Sequence, residues 1–370
     1  MSNIERIEIF HRTLPLQPAF KPSWDGRPRH SFEVTIVRVT DSDGRVGVGS
    51  GDRMVGFEGH EELFVGRDAQ QLERHYEVLS NLNFHYGRPW PLDLALWDLS
   101  GQITGEPVWR MLGGRSNRVR LYASTGVLRA ADAMVDQAQR LADEGFTAMK
   151  VRFTSSAGGR TGWREDLKVL ERIRVALGER MTLMVDCNQG WRMPWDTNPS
   201  WQLKDALVVA RELERLSVYW MEEPLHRADR RGMALLRTLS PVRIAGGEMT
   251  RELHEYRDLI DDRALDILQP DVALTGGITG VRRIAAMARE AGLTLTPHTW
   301  TNGIGVLANA HLAAGIGEVP WLEWPYDPPE WSLERRDWLL DEPLKARDGW
   351  LELGEAPGLG IVLSDRLHLT

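Results

Sequence analysis

Seven ionisable residues, Lys150, Asp186, Glu222, Glu248, Asp271, His298 and Glu323, recur along this 370-residue chain at separations of 36, 36, 26, 23, 27 and 25 residues. Each ends a short β-rich run. Asp186, Glu222 and Glu248 close three consecutive units. If those strand ends converge, three carboxylates repel one another unless they are protonated or share a cation. An all-oxygen donor set favours a hard ion such as Mg²⁺, with water and substrate completing the shell. Taken singly, each acid reads equally well as a helix cap or an arginine partner; three in successive units point to a metal. Glu223, beside Glu222, faces the other side of an extended strand and reads as a supporting residue.

Lys150 and Arg152 are two apart in AMKVRF and share one face of their strand. Beside a metal, two cations suit an anionic substrate. The charges of Arg152 and Mg²⁺ are expected to lower the Lys150 pKa and make it a usable base, while Arg152 keeps its proton. A simple ion pair to a carboxylate is the competing reading. Asp271 and His298 end successive strands. An Asp directed at a His sets its tautomer and raises its basicity, so the ring can accept and return a proton. Without such a partner a histidine reads as core or cap, as His311 does. Glu323, among the tryptophans of PWLEWP, reads either as a protonated donor to an oxyanion or as half of a buried ion pair. Together these groups describe one reaction. A metal grips a substrate carboxylate, a base takes the proton from the adjacent carbon, and the enediolate is stabilised by Mg²⁺, a lysine and a protonated acid.

The elements that must position these residues read as β/α units. VRLYAS, TAMKVRF, MTLMVDCN, VYWMEEP, VRIAGGE, LDILQPD, LTLTPH and PWLEW are strands. Helices run between them, among them 131–144 closed by Gly145 and 280–291 closed by Gly292. Eight units predict an α/β fold, a (β/α)₈ TIM-like barrel over residues 119–325 whose site lies at the C-terminal strand ends. Residues 1–118 read as an α+β capping domain. In it FEVTIVRV puts Phe32, Val34 and Ile36 on one face, a DSDG turn leads to VGVG, a helical run covers 60–82, and Pro91 opens a helix. Residues 326–370, rich in Pro, Trp and charge, are expected to fold back on that first domain.

LALWDLSGQITGEPVWRMLGG, MVDCNQGW, WMEEPL, GGE, QPD, PHTW and WLEW, in this order and spacing, resemble the enolase superfamily, specifically its mandelate racemase/muconate lactonizing enzyme type. The resemblance covers almost the whole chain. It implies one Mg²⁺ per subunit on Asp186, Glu222 and Glu248, an Asp271–His298 dyad, and Glu323 as donor to the enediolate. The departure is AMKVRF, because many members carry Lys-x-Lys there with the second lysine as a base. Arg152 in that place leaves His298 as the principal base. The resemblance then implies a hydro-lyase, an aldonate or aldarate dehydratase that gives a 2-keto-3-deoxy acid. A racemase, an epimerase or a lactone cycloisomerase shares the first half-reaction, and a non-catalytic sugar-acid binding protein is the alternative of another class.

Specificity is expected from the capping domain. Residues 14–30, containing Trp24, Asp25 and Arg27, form a Pro-rich lid, and residues 49–59 a Gly-rich loop. Asn188, Trp191, Trp300 and Asn302 lie just past strand ends. Trp24, Arg27, Asn188, Trp300 and Asn302 are the candidate substrate contacts, with loop packing the alternative for each. Formal net charge of −8 argues against a nucleic-acid partner. No apolar run is long enough for a membrane span. The single cysteine, Cys187, expected buried and inert, and a charged start without a signal-peptide pattern fit a cytoplasmic protein. The resemblance also implies a homo-oligomer, a dimer or an octamer.

Overall fold

The computed structural model describes residues 2–153 and 162–369. The chain begins with an antiparallel sheet in the order β1 (Ile4–Phe20), β2 (Arg29–Asp41), β3 (Val46–Gly51). Asp41 Oδ1 accepts the backbone N–H groups of Asp43 and Arg45, which closes the DSDG turn between β2 and β3. Helices α1 (Leu72–His85), α2 (Trp90–Thr104) and α3 (Val108–Met111) follow. The alternate glycines of VGVG have a packing reason. A Cβ on Gly47 or Gly49 would come within 2.2 Å of the Ala95 carbonyl or 2.0 Å of the Pro91 carbonyl, so α2 rests its backbone directly on β3.

Three local expectations are corrected. The helical run read over 60–82 starts only at Leu72; Glu61–Leu63 is a short 3₁₀ turn, and the residues after it pair their backbone with the start of β1 (Ile4 N to Arg67 O, 2.8 Å; Gly66 N to Ile4 O, 2.8 Å). Backbone pairing to an edge strand overrides the local apolar period there. The single buried face read in FEVTIVRV is double. Val34 and Ile36 pack against Leu339, Leu340 and Leu367, and Val37 and Val39 against Leu79, Leu92 and Leu96. Of the lid read as 14–30, residues 14–20 continue β1, with Leu14 opposite Phe32 and Pro15 opposite Ser31; only residues 21–28 form the hairpin tip.

From Arg118 onward strands and helices alternate: β4 (Arg118–Ser124), α4 (Ala131–Asp143), β5 (Ala148–Arg152), α5 (Trp163–Leu177), β6 (Thr182–Asp186), α6 (Leu203–Arg215), β7 (Trp220–Glu222), α7 (Arg230–Leu239), β8 (Arg243–Gly246), α8 (Leu253–Asp261), β9 (Ile267–Leu268), α9 (Gly277–Glu290), β10 (Thr294–Leu295), α10 (Gly303–Ile316) and β11 (Leu322–Pro325). The strands pair in parallel in the order β10-β9-β8-β7-β6-β5-β4-β11, a TIM-like barrel. Tyr122, Met184, Trp220 and Ile267 fill its interior below the mouth. Glycines in the left-handed region, Gly145 and Gly292, end the turns that follow α4 and α9. The chain closes with α11 (Leu333–Arg336) and β12 (Trp350–Glu352), which pairs antiparallel with the start of β4.

Two buried acids of α2 join the layers. Asp93 accepts from Thr279 Oγ1 (2.7 Å) and Thr279 N (3.2 Å) at the N-terminus of α9. Asp98 accepts from Val48 N (2.8 Å) and Leu359 N (2.6 Å), tying β3 to the C-terminal segment. Among the described residues no helix is long and apolar enough to cross a membrane.

Candidate active site

Asp186 and Glu222 are the last residues of β6 and β7, Lys150 lies within β5, and Glu323 lies within β11. Glu248, Asp271 and His298 stand on the loops just past β8, β9 and β10 rather than on the strands. All seven are buried and meet at the C-terminal mouth of the barrel.

Ligand-type oxygens of Asp186, Glu222 and Glu248 lie within 4.8 Å of one another, the geometry of a group able to hold a metal ion. Each carboxylate has one oxygen occupied by a neutral donor. Asp186 Oδ1 accepts from Asn188 N and Nδ2 (both 2.9 Å). Glu222 Oε2 accepts from Gln269 Nε2 (2.8 Å) and Trp220 Nε1 (3.1 Å). Glu248 Oε1 accepts from Trp191 Nε1 (2.9 Å). Among the described residues the second oxygens are met by cationic or protonatable groups: Arg152 Nη1 on Asp186 Oδ2 (2.5 Å), Lys150 Nζ on Glu222 Oε1 (2.6 Å) and His298 Nε2 beside Glu248 Oε2 (3.4 Å). Three hard oxygen donors, each orientated from behind, fit a divalent cation such as Mg²⁺.

Lys150 departs from expectation. It lies 2.6 Å from Glu222, 2.8 Å from Glu323 and 3.8 Å from Asp186. Burial favours the neutral amine, but Glu222 and Glu323 outweigh it and hold the ammonium above the ordinary lysine range. Of the two influences expected to lower it, Arg152 and a bound Mg²⁺, Arg152 acts in that direction but more weakly than the two glutamates. Glu323 is the other half of the ion pair with Lys150. Burial raises its carboxyl pKa, but Lys150, His298 and Arg152 outweigh that and leave it ionised. It accepts from Ser124 Oγ (2.7 Å) and Thr299 N (2.8 Å), so of its two readings the ion pair is the one present. Glu222 is pushed up to about 7, by burial first and then by Asp186 and Glu323 against the pull of Lys150.

Asp271 Oδ2 lies 2.9 Å from His298 Nδ1, and Asp271 Oδ1 accepts from Asn309 Nδ2 (2.9 Å) and Ala273 N (2.8 Å). The aspartate is thereby fixed, and it directs Nε2 of the histidine toward Glu248. Burial favours a neutral ring, but Glu248, Glu323 and Asp271 raise the His298 pKa to about 9. His311, by contrast, accepts from Trp109 N (3.1 Å) and is lowered to about 3, chiefly by burial, as suits a structural histidine. Cys187 is buried as expected.

The candidate substrate contacts divide. Trp24 and Trp300 stack on the Arg152 guanidinium, with ring centroids 4.3 Å and 5.2 Å from it, and Asn188 bridges to Asp186. Phe20, Trp24, Trp300 and Trp331 form one aromatic wall over this side of the mouth. Arg27 is exposed and stacks on Trp195 at 4.4 Å. Asn302 caps α10, accepting from Ile304 N and Gly305 N, and donates to Ser50; its side chain is spent on these contacts. Sequence reading passed over Ser124, Gln269 and Asn309. Gln269 stood within the QPD motif, two residues before Asp271, and that alternation was the available signal.

Residues 133–367, well over half the chain, match the sequence profile of the enolase C-terminal domain-like family. The chain belongs to the enolase superfamily. It is 28% identical to the arabinonate dehydratase of Saccharolobus solfataricus over 92% of this chain and 91% of that protein. It is 30% identical to the 3,6-anhydro-alpha-L-galactonate cycloisomerase of Streptomyces coelicolor over 97% of each. The solved structure of a racemase from Streptomyces coelicolor A3(2) with bound magnesium superposes with a TM-score of 0.83 at 27% identity, covering 98% of both chains. The superfamily relatives thus include acid-sugar dehydratases, cycloisomerases and racemases.

Proposed function

We propose that this chain is a Mg²⁺-dependent acid-sugar dehydratase, in which Asp186, Glu222 and Glu248 hold one ion and His298 is the base. The observation that carries the reading is the Asp271–His298 pair at 2.9 Å, set beside a carboxylate of the metal-type cluster, with Arg152 where a second base would stand. The ion, when bound, neutralises the cluster and draws electron density from the substrate carboxylate.

The residues of the chain do the rest. With Glu248 engaged by the ion, its pull on the His298 proton would be weaker, and the Nε2 proton would pass to solvent and leave a neutral ring. Nε2 removes the proton from the carbon beside the substrate carboxylate, and that electron pair moves into the carboxylate to form an enediolate. The Lys150 ammonium donates to the developing oxyanion charge. As the enediolate collapses, the bond to the 3-hydroxyl breaks and the imidazolium returns its proton to the departing oxygen, so water leaves. The enol that remains becomes the 2-keto-3-deoxy acid, and His298 is again neutral. Arg152 keeps its proton under all these conditions. Lys150, paired at 2.8 Å with Glu323 outside the metal cluster, is a donor rather than an acceptor. One face of the substrate therefore meets a base and the other does not, which favours elimination over racemisation.

Proton NMR in D₂O with Mg²⁺ across aldonic and aldaric acids tests this. A 2-keto-3-deoxy product is the expected result. A ring-opened or ring-closed isomer with no loss of water would replace dehydration by cycloisomerisation, the reaction named for the relative of 30% identity. The dimer or octamer and the cytoplasmic setting implied by the family resemblance belong to this same proposal.

A further inference from the structure

The loop between β6 and α6 touches both the carboxylate cluster and the hairpin tip of the capping domain. At its start, the Asn188 side chain donates from Nδ2 to Asp186 Oδ1 (2.9 Å), while its Oδ1 accepts from Ser23 Oγ of the tip (3.4 Å). Three residues on, Trp191 donates to Glu248. Four further on, Trp195 donates from Nε1 to Asp25 Oδ1 (3.0 Å) and lies under the Arg27 guanidinium. Asp25 is buried although it belongs to a surface hairpin; it also accepts from Arg27 N (2.9 Å) and Arg29 Nε (3.3 Å). The loop is stiffened from within. Arg192 donates to Asn188 O (2.8 Å) and to Gln189 Oε1 (2.8 Å), and the latter also accepts from Trp201 N (3.0 Å). A braced segment thus grips two of the three cluster carboxylates at one end and the tip at the other.

We propose that this loop is a tie through which occupation of the metal cluster holds the capping hairpin shut, with Trp195 as the positioning residue at the capping end. The proposal rests on the reading of Asp186, Glu222 and Glu248 as the magnesium site. The physical basis is restriction of motion. Fixing Asp186 and Glu248 on one cation fixes Asn188 and Trp191, and through the brace it narrows the positions open to Trp195 and hence to Asp25. Opening the tip then costs more with the ion in place.

The test uses Mg²⁺ alone as the probe. Hydrogen exchange of the tip amides, residues 21–28, is followed by mass spectrometry with and without MgCl₂, and calorimetry measures ion binding to the same protein. Mg²⁺ is expected to slow tip exchange at least about threefold. In Trp195→Ala that slowing is lost while the ion still binds within about twofold of the parent. Trp195 is 41% exposed, so the substitution is tolerable at the surface. Asp25→Asn, which keeps the size of the side chain, is expected to lose most of the slowing as well. Trp195→Phe, which keeps the ring under Arg27 but not the N–H, is expected to fall between. A tip that responds to Mg²⁺ equally in the parent and in Trp195→Ala overturns the tie. So does a parent protein that binds the ion without any change at the tip, which leaves the metal-site reading standing. Absence of Mg²⁺ binding in calorimetry overturns both.

Discussion

Two groups of buried carboxylates, those at the barrel mouth and those on α2, answer the cost of burial in opposite ways. Among the described residues Asp93 and Asp98 make no ion pair, although the Arg282 charge is felt at Asp93. Each is met by backbone N–H groups or a hydroxyl from another layer of the molecule, and none of their oxygens converge. Asp186, Glu222 and Glu248 converge, and among the described residues each has an oxygen approached by Arg152, Lys150 or His298. A buried acid satisfied by neutral donors is a joint between layers. Like charges gathered at one point, each orientated from behind, form a site, because the repulsion between them must be relieved by a cation or a proton.

The largest effect should come from removing that cation. EDTA is expected to abolish turnover and Mg²⁺ to restore it; turnover that persists under EDTA would make the mouth carboxylates another set of joints. Next comes His298→Asn. It should slow exchange of the proton beside the carboxylate by about a thousandfold, read by NMR in D₂O, with Mg²⁺ affinity nearly unchanged. On the α2 side, Asp98→Ala leaves the N–H groups of Val48 and Leu359 buried without an acceptor. Urea denaturation should show a loss of about 2 kcal/mol or more, with no change in ion binding. The smallest effect is on pH dependence. Burial, against the hydrogen bonds they accept, raises Asp93 to about 7 and Asp98 to about 6. The folded chain thus holds these protons more tightly than the unfolded chain does. Their contribution to stability is complete below the ordinary aspartate pKa and is lost as pH rises through about 6 to 7. Asp93→Asn, which cannot titrate, should show a shallower fall in denaturation midpoint from about pH 5 to about pH 8 than the parent.

The site was readable to the degree that its chemistry depends on residue type and on β/α spacing. The strands carrying Asp186, Glu222 and Lys150 lie where alternation of apolar runs placed them, since a barrel repeats one unit. Charge states were not readable in that way. Lys150 was expected to be lowered, and Glu323 was left open between a protonated donor and half of a buried ion pair; the two side chains, 173 positions apart in the chain, lie 2.8 Å apart in space, form that pair and stabilise each other's ionised form. The capping domain was less legible still. The region from Glu61 to Gln71 has a helical pattern, yet its backbone pairs with β1, and pairing with a distant edge strand leaves no local period to read.

The sequence by itself determined the repeating barrel, the three strand-end acids, the Asp–His order and the arginine at position 152, because these rest on residue identity and on periods fixed by backbone geometry. Only the tertiary structure decided which oxygens are left to face one another, that Asn302 is spent on a helix cap, and that the loop after Asp186 reaches the hairpin tip. Each of these is a contact between segments far apart in the chain, whose free energy depends on distance and burial.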